Sequence, residues 1–170
     1  MLQKKICLLG SFAVGKTSLA RRFVHSAFSE QYHTTIGVKI DRKEVEVNGQ
    51  MVKLLIWDIH GDDELQKVRA SYLRGMSGYF LVADGTRPET METIAMLNEL
   101  ANETVGDIPF ILLINKADLE SEWRIPEKDL AALRENGWTI HLTSAKSGAH
   151  VDESFHQLTE RILAQSKSDK

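Results

Sequence analysis

The 170-residue chain has one cysteine, three prolines and no apolar run approaching the length of a membrane span. The lone Cys7 cannot close an internal disulfide, and its place in Ile6-Cys7-Leu8-Leu9 reads as a reduced core residue of a cytosolic protein. The basic start Met1-Leu2-Gln3-Lys4-Lys5 precedes an apolar stretch broken at Gly10 and Lys16, which is no signal peptide. Leu2 stands where myristoylation requires glycine, and Gln165-Ser166-Lys167-Ser168-Asp169-Lys170 has no cysteine for prenylation. The expectation is a cytoplasmic protein with no intrinsic membrane anchor. Positive charge is not in excess either. The net charge is −3 with both signs spread along the chain, so no nucleic-acid partner is expected. Repeats, low-complexity segments and linkers are also lacking. What remains is one domain large enough for a full core, residues 1–164, and a polar tail over 165–170 expected to fray.

What is present is an alternation of strands and helices. Ile6 to Leu9 is a short apolar run that stops at Gly10, and Lys16 to Phe23 reads as a helix after it. Residues 25 to 37 lack periodicity and read as a loop. Val38 to Val47 and Met51 to Ile59 are strand-like runs joined by Asn48-Gly49, a strong hairpin signal. Gly78 to Asp84 and Pro109 to Ile114 read as buried strands, and Trp138 to Leu142 as a last short one. Met91, Ile94, Leu97 and Ala101 share a helix face, as do Val151, Phe155, Leu158 and Ile162. Pro126 and Gly137 punctuate a further helix at its start and just past its end. The expected class is α/β: a six-stranded, mostly parallel sheet with one antiparallel edge strand and helices on both faces.

Gly10-Ser11-Phe12-Ala13-Val14-Gly15-Lys16-Thr17 matches G-x-x-x-x-G-K-[ST], with a strand before it and a helix after it. Phosphates need many donors and positive charge in a small volume. A wrapped loop supplies backbone N–H groups, and the helix aims the positive end of its dipole at the same point. Lys16 reaches the β- and γ-phosphates, and the Thr17 hydroxyl is suited to magnesium. The motif implies a P-loop NTPase fold without choosing between ATP and GTP.

Asn115-Lys116-Ala117-Asp118 follows the strand ending at Ile114, where open α/β sheets bind ligands. Guanine presents N1–H and an exocyclic amine side by side, and the Asp118 carboxylate can accept from both. Adenine offers a bare acceptor at N1, which a carboxylate repels. Asp118 is therefore expected to select GTP over ATP. Ser144-Ala145-Lys146 follows the last strand and closes over the base, with the Ala145 N–H placed for the guanine carbonyl. Phe28 is a candidate for packing on the base edge.

With these motifs the chain resembles the Ras superfamily, and within it the Rab branch, over about residues 4 to 164. The matching stretches are residues 10–17, Thr35-Ile36-Gly37-Val38, Trp57-Asp58-x-x-Gly61, Asn115-Lys116-x-Asp118 and Ser144-Ala145-Lys146. Thr34-Thr35-Ile36-Gly37-Val38, Leu55-Ile56-Trp57-Asp58 and Tyr72-Leu73-Arg74-Gly75 are similar to the Rab branch in particular. The resemblance implies a GTP/GDP switch with Mg2+. Gly10, Ala13, Val14, Gly15, Lys16, Thr17, Ser18, Phe28, Tyr32, Thr35, Gly61, Asn115, Lys116, Asp118, Ser144, Ala145 and Lys146 would bind nucleotide. Thr17, Thr35 and, through water, Asp58 would hold the metal. Thr35 and Gly61 would sense the γ-phosphate, so that two loops relax on its loss. Residues 32–40 and 60–75 would meet protein effectors and regulators, with Ile40, Trp57 and Tyr72 as a hydrophobic triad.

The catalytic set implied by the resemblance is Lys16, Thr35, Gly61 and the residue after it. That residue is normally a glutamine that orients the attacking water; here it is Asp62. Aspartate is shorter, lacks an N–H donor and carries a charge repelled by the reacting phosphate, so intrinsic hydrolysis is expected to be slow. Phe12 replaces a usually small residue close to where an activating protein inserts an arginine. His60 replaces a usual alanine, and no arginine lies between His25 and Gly37. Two functions follow: a cycling GTPase completed by partners, or a nearly hydrolysis-dead scaffold that holds GTP permanently.

Overall fold

The computed structural model describes residues 1–26, 28, 37–59 and 68–169. The described chain runs β1 (Leu2–Gly10), α1 (Lys16–His25), β2 (Val38–Val47), β3 (Gln50–Ile59), α2 (Ala70–Leu73), β4 (Gly78–Asp84), α3 (Thr90–Val105), β5 (Phe110–Asn115), α4 (Glu127–Glu135), β6 (Ile140–Leu142) and α5 (Val151–Ser168). The strands form one sheet in the order β2-β3-β1-β4-β5-β6. All neighbours are parallel except β2 and β3, so the expected antiparallel strand lies at the edge.

The hairpin forms where the sequence places it. Asn48 and Gly49 both take positive φ, 50° and 77°, and Val47 pairs with Gln50 around them. Positive φ at both central positions matches the twist of the flanking strands, and Asn-Gly supplies it at little cost.

Strand β4 and the second half of β1, Ile6 to Leu9, are apolar almost without a break because both sheet faces are covered there. In β1, Ile6 and Leu8 enter the cluster packed by Leu19 and Phe23 of α1 and by Phe155, Leu158 and Ile162 of α5. Cys7 and Leu9, pointing the other way, enter the cluster built with Ile94, Leu97 and Ala101 of α3 and Leu130 of α4. Helices α1 and α3 thus leave the sheet on opposite faces from the neighbouring strands β1 and β4. That divergence opens a crevice at the carboxyl ends of these strands, the place where such sheets bind ligands.

Two elements differ from the sequence reading. Helix α2 spans four residues, too few for a periodic stripe to mark it. Residues 165 to 168, read as part of a fraying tail, continue α5. They are tied down: Gln165 Nε2 donates to the Asp107 carbonyl at 3.0 Å, and Lys4 Nζ donates to Ser166 Oγ at 3.2 Å.

Phe155 is fully buried, stacked on Phe23 with centroids 3.9 Å apart and tilted against Phe80 at 4.7 Å. Phe155→Ala should cost about 3–5 kcal/mol of unfolding free energy, read from the denaturant midpoint. Met96→Ala, at a side chain 48% exposed, should stay within about 0.5 kcal/mol.

Candidate functional site

The loop from Gly10 to Gly15 joins β1 to α1 at the crevice. Ala13 and Gly15 have positive φ, 63° and 100°, and left-handed residues in such a loop turn successive N–H groups toward a common concavity. Gly15 is also crowded: a Cβ there would lie 2.2 Å from Asn115 Nδ2. Conformation and space together demand glycine.

Lys16 is 6% exposed and its ammonium donates to the carbonyls of Gly10 and Ser11, at 3.3 Å each. Burial pushes its pKa down to about 8, with the Asp58 carboxylate acting in the opposite direction. A cation withdrawn from water beside a loop of converging N–H groups suits a polyanionic ligand. Thr17 Oγ1, one residue on, donates to Asp58 Oδ2 at 2.5 Å. Helix α1 and strand β3 therefore bring two oxygen-bearing side chains together, a donor type that fits Mg2+.

Asn115 stands at the end of β5, 2% exposed, and joins three segments. Its Nδ2 donates to the Val14 carbonyl at 3.1 Å, while its Oδ1 accepts from Thr143 Oγ1 and from the Ala145 N–H, both at 3.3 Å. Lys116, at φ 70°, reaches back so that Nζ lies 2.7 Å from Asp84 Oδ2 and 3.5 Å from the Ala13 carbonyl. Asp118 is exposed, and Ser144 Oγ donates to its Oδ1 at 2.8 Å, fixing the carboxylate's orientation. Ala145 is buried, whereas Lys146 is exposed beside it.

The structure thus brings Gly10, Ala13, Val14, Gly15, Lys16 and Thr17 together at the sheet's carboxyl edge with Asn115, Lys116, Asp118, Ser144 and Ala145; Ser18 follows in α1. Phe28 is 36% exposed. Tyr32, Thr35, Gly61 and Asp62 lie outside the described residues, as do His33, His60 and Gln66. On β2 and β3, Ile40 pairs with Trp57 in register and is 45% exposed. Lys5 Nζ sits 3.5 Å from the Trp57 ring centroid and donates to the Tyr72 carbonyl at 2.7 Å, which draws these two residues together.

Three supports were not read from the sequence. Asp84, fully buried at the end of β4, is the partner of Lys116. An acidic residue at the carboxyl end of a buried strand is the signal that marked it. Arg22 of α1 donates to the Ala145 and Lys146 carbonyls at 2.7 and 2.5 Å. Trp123 covers Gly85 so closely that a Cβ there would lie 1.9 Å from its ring. These last two contacts join residues far apart in the chain, and no local spacing announces them.

Comparison with known proteins agrees with this geometry. The family model described as the Ras family matches residues 5–164. Ras-related protein Rab-10 of Caenorhabditis elegans is 35% identical over 163 residues, covering 94% of this chain and 81% of the relative. Ras-related protein Rab-13 of Canis lupus familiaris is 34% identical over 164 residues, with 95% and 81% covered. Ras-related protein Rab-2B of Dictyostelium discoideum is 32% identical over 167 residues, with 97% and 83% covered. The chain belongs to the Ras family: it is a Rab-like small GTPase, a GTP-binding switch that works with GTP, GDP and Mg2+.

Proposed function

We propose that this protein is a GTP/GDP switch with slow intrinsic hydrolysis, built as one G domain over residues 1–164. In this reading Gly10 to Ser18 hold the phosphates, with Lys16 meeting their charge. Asn115, Lys116, Asp118, Ser144, Ala145 and Lys146 hold the guanine, while Phe28 and Tyr32 close over the nucleotide. The observation that carries the reading is the 3.1 Å bond from Asn115 Nδ2 to the Val14 carbonyl, because it ties the base motif directly to the phosphate loop. Thr17, Thr35 and, through water, Asp58 would hold Mg2+, which when bound neutralises charge on the phosphate oxygens.

Turnover depends on the residue beside the γ-phosphate. Asp62 cannot donate a hydrogen bond to the reacting oxygens and places a negative charge near them, so orientation of water and charge stabilisation both suffer. Thr35 and the Gly61 N–H are proposed to report the γ-phosphate to segments 32–40 and 60–75, where effectors and regulators bind. Ile40 supports that role, since it leaves an apolar side chain 45% exposed opposite Trp57. The second reading, a scaffold that keeps GTP almost permanently, draws support from Phe12. It projects from the phosphate loop 38% exposed, a bulky side chain on a loop that an activating cation has to approach.

Nucleotide extracted from purified protein should be guanine nucleotide, and GTP should outcompete ATP. Asp118→Ala should lower the GTP-over-ATP preference by roughly a hundredfold or more in a competition assay. An unchanged preference would remove Asp118 from the base site. Loaded with GTP and left alone, the wild type should keep its γ-phosphate for a long time, whereas Asp62→Gln should hydrolyse it about ten times faster. Fast single-turnover release by the wild type, or a slower Asp62→Gln variant, would give Asp62 an active part and end the slow-hydrolysis reading. Phosphate release that stays slow even in Asp62→Gln would favour the scaffold.

A further inference from the structure

Five consecutive carbonyls of the phosphate loop each meet a side-chain donor. Lys16 Nζ donates to Gly10 and Ser11, Arg87 Nη1 to Phe12 at 3.0 Å, Lys116 Nζ to Ala13 and Asn115 Nδ2 to Val14. A trans peptide is planar, so holding one C=O turns the N–H of the next residue to the opposite side. Donors on Phe12, Ala13 and Val14 therefore fix the N–H groups of Ala13, Val14 and Gly15 on the side away from them. A polyphosphate needs these N–H groups already aimed, because orienting them on binding costs conformational entropy.

Two of the donors are cations that share one anion. Asp84 Oδ2 lies 2.7 Å from Lys116 Nζ and 3.8 Å from Arg87 Nη1. Its Oδ1 accepts from the Thr86 N–H and hydroxyl at 2.9 and 2.7 Å, so the carboxylate is locked from both sides. Lys116 and Asn115 come from the base motif. Arg87 does not: it belongs to the turn after β4 and touches the loop at Phe12. The Phe12 peptide sits in the exposed part of the loop, and the guanidinium supplies a charged donor to its carbonyl there.

We propose that Arg87, oriented by Asp84, is a positioning residue for the nucleotide polyphosphate, acting by holding the Phe12 peptide so that the Ala13 N–H faces the phosphates. This rests on the reading of Gly10 to Thr17 as the phosphate site. Arg87 acts through the loop backbone and is not a catalytic residue. Its other bond, Nε to Glu89 Oε1 at 3.3 Å, staples the start of α3 and is the competing structural role.

Release of a fluorescent GDP from the full chain, together with GMP affinity, tests the proposal. Arg87→Ala should speed GDP release about tenfold, the effect of losing one charge-assisted hydrogen bond, and change GMP affinity less than about threefold. Arg87→Lys should recover most of the loss, and Glu89→Ala should leave both values unchanged. In an Asp84→Asn background, Arg87→Ala should lose most of its effect. Equal losses for GDP and GMP, a Glu89→Ala variant that behaves like Arg87→Ala, or an undiminished effect in the Asp84→Asn background would overturn it. The underlying site reading fails separately: wild-type protein that prefers ADP to GDP would sink it whatever the Arg87 variants do.

Discussion

A lysine ammonium held out of water is the interaction on which the site turns. Lys16 is buried against carbonyls of its own loop, and its pKa is pushed down to about 8 because the charge is poorly solvated there. The side chain is already withdrawn from water, so in the proposed reading an incoming phosphate group does not have to strip it of solvent. The rest of the site keeps that arrangement in place. The divergence of α1 and α3 from the sheet opens the crevice, and Asn115 closes the loop from the far strand.

Much of this was legible in the sequence because it rests on local rules. The bounds of β2 and β4 follow from a strand-like run ending at Asn48 and an apolar run ending at Asp84, and the hairpin turn from two residues that tolerate positive φ. The phosphate loop and the Asn-Lys-x-Asp motif are legible for the same reason: each packs its chemistry into a few adjacent positions. Helix α2 was not legible, since four residues carry no period. Nor was the continuation of α5 through Ser168, which depends on Gln165 and Ser166 meeting Asp107 and Lys4 across the fold. Arg22 and Trp123 belong to this second kind: their importance lies in distant partners.

In the proposed reading, much of recognition and turnover separates along the chain. The residues that would grip phosphate, base and metal agree with the Ras family pattern. Departures from that pattern include Phe12, His60 and Asp62, and in the proposed reading Phe12 and Asp62 fall where the resemblance places the attacking water and a helper's cation. A chain can alter these positions without weakening its hold on the nucleotide, because catalysis of phosphoryl transfer depends on placement around the γ-phosphate rather than on the grip elsewhere.

Helix α1 joins the two ends of the site mechanically. It starts at Lys16, beside the phosphates' loop, and within two turns carries Arg22, whose guanidinium grips the carbonyls of Ala145 and Lys146. The rise between the two residues is about 9 Å along a stiff rod. The helix therefore works like a pair of calipers set to one opening. Through this one rod the distance between the Gly10–Gly15 loop and the Ala145–Lys146 backbone is set, so neither can shift along the helix axis without carrying the other.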